Sequence, residues 1–247
     1  MVIIAIINQK GGTGKTTTAI NLGSALSSLG KKVLLIDLDP QANLSYSFGI
    51  KSPDGTITEV LQGKKTLQAI LTEKEGLSIT PSSISLADLE ISLVNKIGRE
   101  GLLKEHIKGL KGYDYVFIDS PPSVSILTIN ALNAAQEVLI PLQMEILSLQ
   151  GLAQLLDTIK EVRRVLNKNL KVMGIIPSMY DARRRLSDEV LEEIKKFKET
   201  VFKTVIRENV KIAEAPSFAK SVLTYAPSSH GAEDYIKLAK EFIKERG

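Results

Sequence analysis

Lys10-Gly11-Gly12-Thr13-Gly14-Lys15-Thr16-Thr17 follows the apolar run Val2–Asn8 and opens a helical pattern at Lys15. Glycines in such a loop let backbone N–H groups converge on phosphate oxygens without Cβ clashes. The helix N-terminus behind them adds partial positive charge. Lys15 is therefore expected to reach the β- and γ-phosphates of ATP, and the Thr16 hydroxyl to ligate Mg²⁺. Gly11, Gly12, Thr13, Gly14 and Thr17 complete the expected phosphate cradle. The common pattern G-x-x-x-x-G-K-[ST] is not met, because its first glycine falls at Gln9, and an additional lysine, Lys10, stands inside the loop.

Working outward from the loop, short apolar runs alternate with helical patterns. Strands are expected at 2–8, 32–37, 77–81, 115–119, 137–142, 172–177 and near Val205, and helices starting near Lys15, Ser85, Arg99, Ser125, Leu147, Leu186 and Gly231. The runs IIAII, VLLID, YVFID and VLIPL are continuously apolar, as strands buried on both faces of a parallel sheet are. Strand–helix alternation then predicts a doubly wound α/β fold, a mostly parallel sheet with helices on both faces. Loops and short helices are expected over 45–74. No linker or repeat interrupts the 247 residues, so a single P-loop domain over 1–247 is expected. The first strand begins at once, which leaves no room ahead of it for a DNA-reading helix-turn-helix.

Two further strands end in carboxylates. VLLIDLDPQAN carries Asp37 and Asp39, which strand alternation places on one side near the loop. In YVFIDSPP the strand ends in Asp119, the arrangement by which an aspartate beside a phosphate loop holds Mg²⁺, usually through water.

Composition narrows the classes. The chain has no cysteine, which excludes disulfides, thiolate metal sites and cysteine-held iron–sulfur clusters and is compatible with a reducing cytoplasm. No apolar run reaches the ~18 residues a membrane-spanning helix needs. His106 and His230 lack metal-ligand spacing. The stripe Tyr235, Ile236, Leu238, Ala239, Phe242 and Ile243 at helical spacing is expected to pack in the core. Net charge is +4, and residues 160–220 hold 15 Lys/Arg against 9 Asp/Glu. That basic segment points to an anionic surface, either nucleic acid or acidic lipid, or else to a solvated helix face.

The loop K-G-G-T-G-K-T-T resembles the deviant Walker A motif of the ParA/MinD group. DLDPQAN resembles the switch I segment of ParA/Soj proteins, and IDSPPS their Walker B and switch II. NALNAAQEVLIPLQMEILSLQGLAQLL, MYDARRRLSDEV, NVKIAEAPSFAK and HGAEDYIKLAKEF follow the family pattern in order. The resemblance is nearly end to end, to the short Soj-like form.

It implies a DNA-partitioning ATPase, cytoplasmic and nucleoid-associated, that acts in chromosome or plasmid segregation. With ATP and Mg²⁺ such a protein forms a sandwich homodimer and binds double-stranded DNA without sequence preference, until a ParB-like partner stimulates hydrolysis. Lys10 would cross to the partner subunit's nucleotide, Asp39 would position the attacking water, and Asp37 and Asp119 would support Mg²⁺. Arg207 and Asn209 would border the base and ribose. Arg207 stands where the family usually has proline, and Glu208 where it has arginine. Family DNA-binding positions match Arg183 and Lys211, to which this chain adds Arg184 and Arg185. A MinD-like membrane-cycling ATPase is the alternative. It would need an added amphipathic membrane helix, and no such segment is visible after Glu245.

Overall fold

Side-chain alternation along the first strand sets up the layers. Ile4 and Ile6 enter one apolar core, while Ala5 and Ile7 enter the other. The same split recurs in the next strand, with Leu35 facing one core and Leu34 and Ile36 the other. Strands that feed two cores must be covered on both faces, and this is how the chain is arranged in the computed structural model, which describes residues 1–246.

The elements in chain order are β1 (Val2–Ile6), α1 (Lys15–Ser28), β2 (Val33–Asp37), α2 (Asn43–Ser47), α3 (Ile57–Leu61), β3 (Thr72–Lys74), β4 (Leu77–Thr80), α4 (Ser85–Ser92), α5 (Leu102–Ile107) and β5 (Tyr115–Asp119). They continue with α6 (Ile126–Ala134), β6 (Glu137–Gln143), α7 (Ile146–Val165), β7 (Lys171–Tyr180), α8 (Arg185–Ile194), β8 (Ile206–Arg207), α9 (Val210–Glu214), α10 (Val222–Tyr225) and α11 (His230–Lys244). The sheet order is β3-β4-β2-β5-β1-β6-β7-β8. All pairings are parallel except β3 with β4. The expected mostly parallel, doubly wound sheet is therefore observed, with one strand, β3, that the sequence pattern did not announce. Thr72-Glu73-Lys74 has no apolar alternation to read, and as an exposed edge its charges protect the sheet from further pairing.

Register decides where the chemistry falls. β5 lies between β1 and β2, with Asp119 level with Ile6 on one side and Asp37 on the other. Three carboxyl ends therefore converge at one edge of the sheet, the usual crevice of open α/β folds. The Ser120 hydroxyl donates to the Ile6 carbonyl at 3.0 Å and ties β5 to the strand that enters the loop.

Helix α11 closes the core beside α1. Tyr235, Leu238, Ala239 and Phe242 are buried with Ala19, Leu22 and Leu26 of α1. The Ser229 hydroxyl caps α11 by accepting the Ala232 N–H. The apolar stripe of this helix is core, as expected. Among the described residues no helix is long and apolar enough to cross a membrane.

Candidate functional site

The loop between β1 and α1 is shaped by its glycines. Gly12 and Gly14 sit at φ +74° and +90°, backbone that side chains rarely adopt. Gly14 is the residue from which α1 starts, and its carbonyl accepts the Thr18 N–H at 2.8 Å. The Asn8 side chain braces the loop entrance. Its Nδ2 donates to the Pro141 carbonyl at 2.7 Å, and its Oδ1 accepts the Lys10 N–H at 3.1 Å.

The two lysines of the loop behave differently. Lys15 is buried, and its Nζ donates to the Lys10 carbonyl at 3.2 Å. Burial pushes its ammonium below its ordinary value, while the charges of Asp119 and Asp39 pull it back up. The Lys10 side chain is 42% exposed, and its Nζ lies 2.6 Å from Glu145 Oε2. Glu145 directly precedes α7, and its other oxygen accepts from Gln143 Nε2 at 2.8 Å.

All three aspartates lie beside the loop. Asp37 and Asp119 are fully buried, and Asp39 nearly so. Asp37 Oδ2 accepts both the N–H and the hydroxyl of Ser45, at 2.9 and 2.7 Å, and its Oδ1 accepts the Asp39 N–H at 3.2 Å. Burial outweighs these bonds and pushes Asp37 up to about 6. Asp119 has neither carboxylate oxygen in a hydrogen bond. Burial, followed by the neighbouring Asp37 charge, pushes it well above the carboxylate range. Thr16 and Lys15 oppose that shift, the Thr16 hydroxyl from close by without reaching hydrogen-bond geometry.

A buried carboxylate with no donor wants a cation. The oxygen set of Thr16, Asp37 and Asp119 suits a hard ion such as Mg²⁺, which keeps several waters and shares its shell with substrate phosphates. Among the described residues no cluster of three or more His, Asp or Glu could hold a metal by itself. Such an ion would therefore depend on the Thr16 hydroxyl, on water and on phosphate.

Beside the end of the loop lies a cavity of about 490 Å³, bordered by Gly14, Thr17, Met179, Asn209, Pro216 and Tyr235 among others. Its position next to Gly14 and Thr17, and its size, suit a nucleoside attached to phosphates held in the loop. Arg207 and Glu208 also border it. The Arg207 guanidinium is engaged by Asp234, with Nη2 2.6 Å from Oδ1 and Nε 2.9 Å from Oδ2. It forms a braced wall there, at the position where the sequence departs from the family's usual proline. Asn209 caps α9, its side chain accepting the Lys211 N–H at 2.9 Å.

The basic residues lie elsewhere. Arg183, Arg184 and Arg185 follow β7, and Lys211 is in α9. Each has an acidic partner: Asp181 for Arg183 and Arg184, Glu189 for Arg185, and Glu214 for Lys211. Sequence reasoning missed Ser45, Glu145, Asp181 and Asp234, the residues that hold the expected site residues in place. Glu145 carried one readable signal, a carboxylate just past the carboxyl end of a parallel strand.

A strand–loop–helix phosphate cradle with a buried lysine, beside aspartates at the ends of two adjacent parallel strands, defines a P-loop nucleotide hydrolase. Residues 1–172 match a family described as an AAA domain. The chain is 47% identical over 245 residues to the sporulation initiation inhibitor protein Soj of Bacillus subtilis, covering 97% of each chain. It is 44% identical to the chromosome partitioning protein ParA of Myxococcus xanthus, over 98% of this chain and 88% of that one. Among solved structures, one titled cobyrinic acid a,c-diamide synthase from Mycobacterium smegmatis, with bound ATP analogue and magnesium, superposes with a TM-score of 0.88 at 35% identity, covering 100% of this chain and 96% of that one. The chain belongs to the Soj/ParA family of partitioning ATPases, within the ParA/MinD superfamily.

Proposed function

We propose that this chain, read as a single ATPase domain over 1–247, is a nucleotide-switched partitioning ATPase. Its ATP-bound homodimer binds double-stranded DNA without sequence preference and is released when a ParB-like partner stimulates hydrolysis. The observation that carries this reading is Lys10. The Lys10 side chain is half-exposed and paired with Glu145, while Lys15 is buried in the cradle. A lysine so placed is available to a second subunit, and each site is then completed only by dimerisation.

Gly11, Gly12, Thr13, Gly14 and Thr17 hold the phosphates through backbone and hydroxyl donors, and Lys15 neutralises the β- and γ-phosphates. Thr16, Asp37 and Asp119 hold Mg²⁺, which supplies charge neutralisation at the phosphate oxygens. Asp39 orients a water whose oxygen bonds to the γ-phosphorus as the bond to the β–γ bridging oxygen breaks, and Lys10 from the partner subunit stabilises the charge on that departing oxygen. Positioning and charge neutralisation are the main sources of rate in phosphoryl transfer. Asn209 and the wall formed by Arg207 border the nucleoside. Arg183, Arg184, Arg185 and Lys211 contact DNA phosphates, a role that goes with a nucleoid-associated protein of the cytoplasm.

A membrane-cycling role is less favoured. The apolar face of α11 is spent on the core beside α1, which leaves it nothing to lay on a bilayer. The test is anisotropy of a labelled random-sequence duplex with ATP, with ADP and with neither, over a range of salt. ATP alone should support tight binding, falling with salt at a log–log slope of about −0.9 per phosphate contacted. Equal binding with ADP, or sedimentation with anionic liposomes in place of DNA binding, would refute the reading.

A further inference from the structure

The basic surface has an organiser on the buried side of the turn between β7 and α8. Asp181 is 7% exposed. Its Oδ1 accepts the Arg183 backbone N–H at 3.0 Å, closing a local turn of the Asx type, and also accepts Arg183 Nε at 2.9 Å. Its Oδ2 takes Arg183 Nη2 at 2.9 Å and lies 3.3 Å from Arg184 Nε. Both arginine side chains are largely exposed, at 87% and 66%. The acid is thus behind and the cations are in front. Two adjacent guanidiniums, which would otherwise repel and splay apart, hang from a single carboxylate.

We propose that Asp181 is a positioning residue that presents Arg183 and Arg184 as a two-pronged fork for nucleic-acid phosphates. The inference rests on the DNA-binding reading of this surface. Gripping Arg183 through Nε and Nη2 fixes the plane of the guanidinium and leaves its Nη1 group, with the remaining Nη2 hydrogen, free for phosphate oxygens. An arginine ordered beforehand loses less freedom on binding, and that saving appears as affinity. Arg185 and Lys211 lack this arrangement. Glu189, an exposed i,i+4 partner of Arg185, swings aside easily and is worth little, and Glu214 holds Lys211 by one i,i+3 contact while also accepting the Tyr225 hydroxyl, so it grips no second cation. Asp181 cannot leave so readily. Hydrogen bonds from the Arg183 side chain, then from its backbone N–H, hold its carboxyl down at about 2, so it stays ionised. Glu208, from the strap bordering the nucleoside cavity, also acts on Arg183 by its charge.

The obvious contrary role is masking, in which Asp181 merely cancels positive charge. The two roles predict opposite signs. Removing an acid from a mask strengthens binding to a polyanion; removing it from a positioning device weakens binding. The experiment measures affinity for a labelled random-sequence duplex against salt, in the presence of a non-hydrolysable ATP analogue, for the parent, Asp181→Asn, Arg183→Ala and the double variant. Asp181→Asn keeps an acceptor for the turn and should weaken binding about tenfold, the equivalent of one ordered phosphate contact, despite the gain in net charge. The double variant should be no weaker than Arg183→Ala by more than about twofold, since coupled residues do not add. ATP turnover of Asp181→Asn without DNA should match the parent, which separates misfolding from mispositioning. Arg183→Lys leaves Asp181 in place and keeps the charge but cannot be gripped bidentately; it should lose nearly as much as Arg183→Ala. Parent-like or tighter binding by Asp181→Asn or by Arg183→Lys overturns the fork. Parent-like binding by Arg183→Ala overturns both the fork and the assignment of this surface to DNA, and so distinguishes the two failures.

Discussion

Replacing Asp37 with asparagine should stabilise the free protein while impairing its response to Mg²⁺ and ATP. Asp37 is fully buried, and its carboxyl is raised from the ordinary 3.8 to about 6. At 1.36 kcal/mol per pH unit, carrying that charge costs the fold ~3 kcal/mol at neutral pH. Asparagine removes the charge at nearly constant shape and still offers one oxygen to Ser45. It presents a donor to the Asp39 N–H, so that bond is lost, at ~1 kcal/mol. The net gain is ~2 kcal/mol, and for a chain of this size that corresponds to a Tm higher by about 4–8 °C. The sign with pH follows from linkage. The folded state holds this proton more tightly than the unfolded one, so the penalty is absent below about pH 4, grows as pH rises, and is complete above about pH 6. The Tm difference between variant and parent should open over that window in calorimetry without nucleotide. Adding Mg²⁺ and ATP should raise the parent's Tm more than the variant's, because a ligand stabilises by the affinity it has for the folded state. An unchanged or lower Tm for Asp37→Asn at pH 7.5, in a variant that is otherwise folded, would refute the claim that this buried charge is a stored cost.

Lys15→Ala should lose ATP affinity by on the order of 2–5 kcal/mol in calorimetric titration, since a buried charge contact to phosphate is truncated; near-parent affinity would displace Lys15 from the cradle. Lys10→Ala and Asp39→Ala should each bind ATP yet hydrolyse it poorly, Asp39→Ala accumulating as a persistent ATP dimer in size measurements. Mixing the two should restore turnover, because a mixed dimer holds one site with both groups intact, and no recovery among verified mixed dimers would count against delivery in trans. Gly174→Ala would place a Cβ 2.8 Å from the Phe202 ring and 3.1 Å from the Thr200 carbonyl; overpacking of this kind should cost about 1–3 kcal/mol in urea unfolding, with ATP affinity of the folded protein unaltered.

The phosphate loop and the parallel strands were legible because each is written in contiguous residues. Gly12, Gly14 and Lys15 declare a phosphate-binding turn, and VLLID and YVFID declare strands buried on both faces. Partnerships between distant residues were not legible. Lys10 meets Glu145 across 135 positions, and Arg207 meets Asp234 across 27; nothing local to either lysine or arginine encodes its partner. The basic segment illustrates the limit of counting charges. Its net positive sum is correct, yet Arg183 and Arg184 share a single buried acid, and only geometry separates that acid from the exposed ones around it. β3 escaped notice because three polar residues at a sheet edge have no periodicity.

The packing of α11 on α1 has a consequence for how the protein is made. On a ribosome the chain emerges from its amino end, so the phosphate loop and α1 are released long before α11. The face of α1 that carries Ala19, Leu22 and Leu26 is covered by Tyr235, Leu238 and Phe242, which are made much later. Until residues 230–244 clear the exit tunnel, the helix that anchors the loop lies bare along one side, and domains of this kind mature as cooperative units. Nascent chains stalled short of α11 should therefore fail to bind nucleotide, although the phosphate loop and its three aspartates have already been synthesised. Competence for the switch arrives only with α11, all at once.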